Sequence, residues 1–267
     1  EIAVLYRAHY QAMELQMELT NRGIPFNITS GLRFFEQAHI KDVAAFMKLA
    51  VNRKDEVAFK RIARMLPGIG VVSASKLWGE WLKSPIVKSD NPPQSFSDHL
   101  EKFKVPSKSR NTWIQFGYTM DEMAPDGELA SPREMISSVL GGVYDDYMRS
   151  KFTNYDNRIQ DLEQLKRYSE QFEDTAEFLS QLALLSGVEG EPTRNNERED
   201  KSEAVTLSSV HQAKGLEWRA VFVIWLTDGM FPNSRVIEED DDEESGLEEE
   251  RRLFYVAITR AKDELYL

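Results

Sequence analysis

The sequence predicts an α/β fold: a parallel sheet built from both ends of the chain and interrupted by a mostly helical insertion. Three observations predict it. Short apolar, partly β-branched runs alternate with a helical period over the first part of the chain. The same alternation returns after residue 203. Between them the apolar residues keep only a helical spacing.

In order, Ile2-Ala3-Val4-Leu5-Tyr6 is a short apolar run and reads as a buried strand. A helical pattern follows through Met13, Met17 and Leu19, and Asn21-Arg22-Gly23 stops it. Ile24 to Ile28 is a second strand, turned by Thr29-Ser30-Gly31. From Ile40 the positions Val43, Phe46, Met47, Ala50 and Val51 repeat every 3.6 residues and predict an amphipathic helix. Asp55 is placed to cap the next one. Pro85, Pro92 and Pro93 lie in a polar stretch that suggests a boundary. Beyond it, Ile159, Leu162, Leu165, Ser169 and Phe172 share one helical face, and Phe178, Leu179, Leu182 and Leu185 another. Residues 187–203 read as a polar return linker. Ala204 to Val210 and Ala220 to Leu226 are strands, the second apolar throughout and therefore central. Arg251 to Thr259 is helical, and Asp263 to Leu267 is a last strand. The expected organisation is 1–95 and 203–267 as two parts of one lobe, with 96–202 as the insertion.

The chain has 267 residues and no cysteine, which excludes a disulfide framework and cysteine-based zinc sites. No apolar run is long enough for a spanning helix, and no secretory signal opens the chain. The first residue is not Met and the last residues are strand-like, so a piece of a larger protein is expected. The net charge of −12 argues against a nucleic-acid binder. However, residues 238–250 hold ten acids and no base, and removing them leaves −2. A near-neutral body can carry a basic groove. The acidic run itself reads as a solvated loop.

Four segments carry chemistry. Val4-Leu5-Tyr6-Arg7 ends a strand in a ring that can stack on a base and a guanidinium that can clamp a phosphate. Taken alone, the segment is better explained as a core strand ending in a snorkelling arginine. Ser208 to Trp218 includes Ser209, His211, Lys214, Gly215 and Glu217. Hydroxyls and amides at a strand end can hold a phosphate backbone, and Glu217 can accept from a ribose hydroxyl. His211 alone is better explained as a surface or packing histidine than as a catalytic base, and without Cys or His company a metal site is rejected. In Glu248 to Lys262, Arg260 falls at a helix end, where a guanidinium can neutralise a transferring phosphoryl group. Arg251 and Arg252 are better explained by pairing with Glu248 one turn away. Leu66-Pro67-Gly68-Ile69-Gly70 followed by Val71 to Leu77 has the layout of a helix–hairpin–helix, whose glycines let amides approach a DNA phosphate. A tight interhelical turn needs the same glycines.

Together and in this order, these segments resemble the C-terminal half of superfamily 1 DNA helicases of the UvrD/PcrA/Rep kind. Val4-Leu5-Tyr6-Arg7 is similar to motif IV, Gly31-Leu32-Arg33-Phe34-Phe35 with Ile40-Lys41-Asp42 to the following segment, His211 to Glu217 to motif V, and Glu248 to Ala261 to motif VI. The likeness is weakest over 96–202. It implies a RecA-like (P-loop NTPase-like) lobe interrupted by a helical subdomain. It implies that Tyr6 stacks on adenine, that Arg7 and Arg260 reach the γ-phosphate as catalytic groups, that Gly215 and Glu217 line the nucleotide with Glu217 on the ribose, and that Ser209, His211 and Lys214 lie on single-stranded DNA. The implied partners are ATP with Mg²⁺, single-stranded and junction DNA, and an N-terminal helicase lobe of the same polypeptide. The implied setting is DNA repair or a related process in the bacterial cytosol or nucleoid, with 3′ to 5′ stepping.

The sequence departs from the family pattern at Asn233, after Met230-Phe231-Pro232, where a histidine often stands near DNA, and at Ser30, where glycine is common. It also holds no Gly-x-x-x-x-Gly-Lys-Ser/Thr phosphate loop and no Asp-Glu magnesium pair in the expected place. The chain by itself is therefore expected not to hydrolyse ATP. A helicase-like scaffold that binds DNA or protein without turnover, or the helicase part of a helicase–nuclease, remain as other readings of the same motifs.

Overall fold

The computed structural model describes residues 1–29, 34–88, 95–187, 204–234, 237 and 243–267. The expected turn at Ser30 with Gly31-Leu32-Arg33, nearly all of the return linker, and residues 238–242 of the acidic run lie outside the described residues. By contacts the chain forms two compact units: residues 1–35 with 185–267, and residues 36–184.

The first unit carries a five-stranded parallel sheet of β1 (Ile2–Tyr6), β2 (Phe26–Ile28), β3 (Val205–Ser209), β4 (Trp218–Val223) and β5 (Ala261–Tyr266), in the order β2-β3-β1-β4-β5. The N-terminal strand is central. Tyr6 pairs with Ser209 on one side and Leu5 with Val223 on the other. Strand alternation sends neighbouring residues to opposite faces. Ala3, Leu5, Val221 and Val223 pack with Leu253 and Ala257 of the long helix near the C-terminus (Glu243–Ile258). Val4, Tyr6 and Leu207 pack on the other face with Ala12 and with Leu19 of α1 (Met13–Asn21). Each such Leu or Val stabilises the unit by about 1.5–3 kcal/mol.

Two expectations are corrected here. β4 ends at Val223, so Trp225 and Leu226 are outside the strand, and Trp225 takes a φ of 62°, which no strand can hold. The acidic run is not a loop over 243–250. The helix begins at Glu243, because Glu250 shares the inward face of Leu253 and Ala257 at helical spacing.

The second unit is helical: α2 (Ala38–Val51), α3 (Glu56–Ala63), α4 (Val71–Trp81), α5 (Pro85–Lys88), α6 (Phe96–Leu100), α7 (Arg110–Met123), α8 (Pro132–Gly141), α9 (Val143–Lys151), α10 (Tyr155–Ser169) and most of α11 (Thr175–Gly187). The C-terminal helix is α12. Phe46, Phe59, Trp81, Trp113, Phe116 and Tyr144 form much of the core. Asp55 caps α3, accepting from the Ala58 amide at 2.9 Å. The contact boundary falls after Phe35, whereas composition places it after residue 95. α2 packs on α7, α8 and α10, so the helices before the proline-rich stretch share a core with those after it. Pro85 opens α5, and Pro92 and Pro93 lie outside the described residues.

Within this unit α3, a turn and α4 follow one another as the glycine pattern expects. Gly68 has φ 78°, a left-handed conformation that only glycine holds freely. Ser109 Oγ donates to the Pro67 carbonyl and ties the turn to the 107–109 segment. Gly70 is the extended residue before α4 and leaves its first turn exposed at Val71 and Val72.

Candidate functional site

The strands are parallel, so the loops after β1, β3 and β4 gather at one edge of the sheet, and the approaches to β4 and β5 at the other. The predicted residues divide between these two edges.

Glu217 and Arg260 meet at the edge where β4 and β5 begin. The Trp218 amide donates to the Arg260 carbonyl at 3.0 Å. Arg260 is set by its own helix end: Nε donates to the Val256 carbonyl at 3.0 Å, Nη1 to the Leu216 carbonyl at 2.9 Å, and Nη2 to Thr259 Oγ1 at 3.1 Å. A guanidinium has five N–H donors, so two remain for a ligand. Glu217 is exposed, and Lys262 approaches it only to 3.8 Å. Gly215, at φ 88°, makes the turn that brings Leu216 and Glu217 to this edge.

At the opposite edge Arg7 follows β1. Its Nε and Nη2 both lie 2.8 Å from Oε1 of Glu250 on α12. Glu250 is 1% exposed, and its Oε2 accepts from the Asn233 amide at 3.0 Å. One buried carboxylate thus ties β1, α12 and the segment after Pro232 together. Gln11 adds a second tie. Its Oε1 accepts from the amides of Arg7 (2.9 Å) and Ala8 (3.0 Å), its Nε2 donates to the Met230 carbonyl (3.3 Å), and its carbonyl accepts from Trp225 Nε1 (2.8 Å). His211 is exposed beside this group. Its pKa lies below the usual histidine value, first through desolvation of the ring and then through the Arg7 guanidinium, with Glu250 and Glu249 opposing. It is therefore neutral near pH 7.

The remaining predicted residues behave differently. Ser209 is buried, and its carbonyl accepts from the Gln212 and Ala213 amides at 3.0 Å, so it shapes the turn that carries His211. Lys214 is exposed in that turn. Asn233 is 8% exposed. Tyr6 is fully buried, its pKa is pushed up to about 12 by that burial, and its hydroxyl has no hydrogen-bond partner among the described residues. In this arrangement the ring is not available to stack on a base. Nor do Tyr6 and Arg7 share a wall with Glu217 and Arg260: Tyr6 lies at the end of β1, and β1 and β4 run in the same direction, so its end is remote from the start of β4. Gly68 and Gly70 belong to the other unit. Arg252 pairs with Glu248 at 3.4 Å, as the charge spacing predicts.

Sequence reasoning missed Glu250, Gln11 and Trp225. Glu250 is one of three consecutive glutamates, and only its helical phase with Leu253 and Ala257 sets it apart. Gln11 carries no motif. Trp225 is masked by the apolar run that precedes it.

Comparison with known proteins bears on what these edges serve. The chain is 30% identical over its whole length to the ATP-dependent DNA helicase PcrA of Bacillus subtilis (strain 168), of which it covers 36%. It is 30% identical to DNA helicase II of Escherichia coli (strain K12), covering 37%, and 30% identical to a probable DNA helicase II homolog of Rickettsia conorii, covering 39%. The chain thus spans a little over a third of the length of these relatives. The family profile described as the UvrD-like helicase C-terminal domain matches residues 1–267. With a RecA-like parallel sheet, an interrupting helical unit and this match from end to end, the chain belongs to the UvrD-like helicase C-terminal domain family.

Proposed function

We propose that the chain supplies one wall of the nucleotide cleft and one stretch of the DNA track of an ATP-dependent helicase that steps 3′ to 5′ on single-stranded DNA. The observation that carries this reading is the junction of Glu217 with Arg260. An exposed carboxylate suits ribose hydroxyls, and beside it a fixed guanidinium keeps donors free for a phosphate. Bound ATP supplies the phosphoryl transfer, with Mg²⁺ held by groups outside the residues assigned here. The chain's own part is to orient the ribose through Glu217, with Gly215 shaping the approach, and to offer positive charge through Arg260.

Arg7, expected as a second guanidinium on the γ-phosphate, is held by buried Glu250 at the opposite edge and has no nucleotide contact in this reading. Tyr6 supports Arg7 from the core. At that edge His211 and Lys214 face single-stranded DNA, with Ser209 and Asn233 fixing the segments that present them. In the helical unit the turn at Gly68 and Gly70 presents the N-terminus of α4, which has no side-chain cap, to the phosphates of duplex at a junction.

A steady-state ATPase assay with single-stranded DNA tests the division of labour. The 267-residue chain is expected to show no turnover above blank, and a full helicase polypeptide containing it to show DNA-stimulated turnover. Turnover that tracks the purified chain, or a full polypeptide without DNA stimulation, contradicts the reading.

A further inference from the structure

We infer that Trp225 is a nucleobase-stacking residue on the DNA-facing edge of the sheet. The inference rests on the reading of that edge as part of the DNA track, and adds to it a residue that no motif singles out. Four of the five tryptophans are 9% exposed or less, whereas Trp225 is 41% exposed. Its backbone sits at φ 62°, which a bulky side chain adopts only when its surroundings impose it. Here they do. The Ile224 amide donates to the Leu5 carbonyl at 3.1 Å, the Thr227 amide to the Trp225 carbonyl at 2.8 Å, and the indole Nε1 to the Gln11 carbonyl at 2.8 Å. The polar edge of the ring is thus satisfied inside the protein while part of its apolar surface stays in water.

A residue that is strained, exposed and orientationally fixed is a poor solution for stability and a good one for binding. A preset ring loses little freedom when a flat ligand docks on it. The neighbouring groups name the ligand class. Trp225 shares the buried Gln11 with the Arg7 and Ala8 amides and with Met230, and His211 lies beside Arg7 at the same edge. Arg7 is itself neutralised by Glu250, but His211 and Lys214 are exposed on the turn after β3, and a cation near an exposed indole forms the pattern for a single strand, its backbone on the charge and a base on the ring. The site also supplies an aromatic surface on the edge where Asn233 offers none.

The test uses the 267-residue chain and a dye-labelled oligothymidylate at low salt. Binding is expected to quench the tryptophan emission that iodide can reach and to protect it from iodide. Trp225→Gly relieves the backbone strain, so it should melt no lower than the parent chain, yet bind about tenfold more weakly with an unchanged salt slope. Trp225→Phe should retain most of the affinity. Undiminished binding by Trp225→Gly, or emission on the unsubstituted chain that DNA does not protect, overturns the inference while leaving the DNA reading in place. An unsubstituted chain that binds no oligothymidylate overturns both.

Discussion

The two edges of the sheet are built on opposite principles. Where β1, β3 and β4 end, the groups are interlocked: buried Glu250 takes two nitrogens of Arg7 on Oε1 and the Asn233 amide on Oε2, and Gln11 ties the segment after β1 to Trp225 and Met230. Where β4 and β5 begin, Glu217 is exposed and loosely approached, and among the described residues Arg260 is held by its own helix end and the loop before β4. Two elements run between the edges. The turn 210–217 carries His211 at one end and Glu217 at the other, and α12 with the turn after it carries Glu250 and Arg260. In the proposed function the open edge takes nucleotide and the interlocked edge takes the strand.

The comparison breaks most visibly at Arg260. In a full helicase polypeptide Arg260→Ala should lower the DNA-stimulated ATPase kcat by about 10³-fold, the scale of losing a guanidinium that meets transferring phosphoryl charge. Steady-state kinetics checks this, and a kcat within a few-fold of the parent would remove Arg260 from the cleft.

Next in size is the buried pair. Glu250→Ala leaves Arg7 without its carboxylate and should destabilise the first unit by about 3 kcal/mol in urea unfolding. Arg7→Met combined with Glu250→Met should recover most of that loss, because two apolar side chains leave no uncompensated charge. The open edge predicts the contrast: Glu217→Ala should change stability by less than about 0.5 kcal/mol, as exposed pairs contribute little.

The smallest expected effect concerns His211. Its folded pKa is depressed, so the folded chain favours the neutral ring, and the unfolded chain takes up a proton first as pH falls. Stability contributed by this group is present above the usual histidine pKa and declines below it. A DNA phosphate acts in the other direction, raising the pKa and drawing a proton onto the ring. Oligonucleotide affinity should therefore rise about threefold between pH 7.5 and 6 in a fluorescence titration, and His211→Asn should abolish the rise.

Much of the fold was legible in the sequence, because buried parallel strands are short apolar runs and the helical faces keep their period. β1, β3 and α2 were readable on those grounds, and Asp55 announced its helix by the chemistry of capping. The domain boundary was not, since a proline-rich composition says nothing about which helices share a core. Of the site, Glu217 and Arg260 were placed by motif and turned out to be neighbours. Tyr6 and Arg7 were grouped with them by motif as well, but strand direction, which no motif encodes, separates them. Glu250 and Trp225 escaped because their roles depend on helix phase and on a backbone angle, and neither leaves a composition signal.

Single-stranded DNA affinity of the 267-residue chain tests the separation of the two edges most directly. Fluorescence titrations with labelled oligothymidylate should find Glu217→Ala and Arg260→Ala within about twofold of the parent chain, and Lys214→Ala weaker with a salt slope reduced by about one. If Arg260→Ala weakened DNA binding as much as Lys214→Ala does, the two edges would be one site and the proposed division would be wrong.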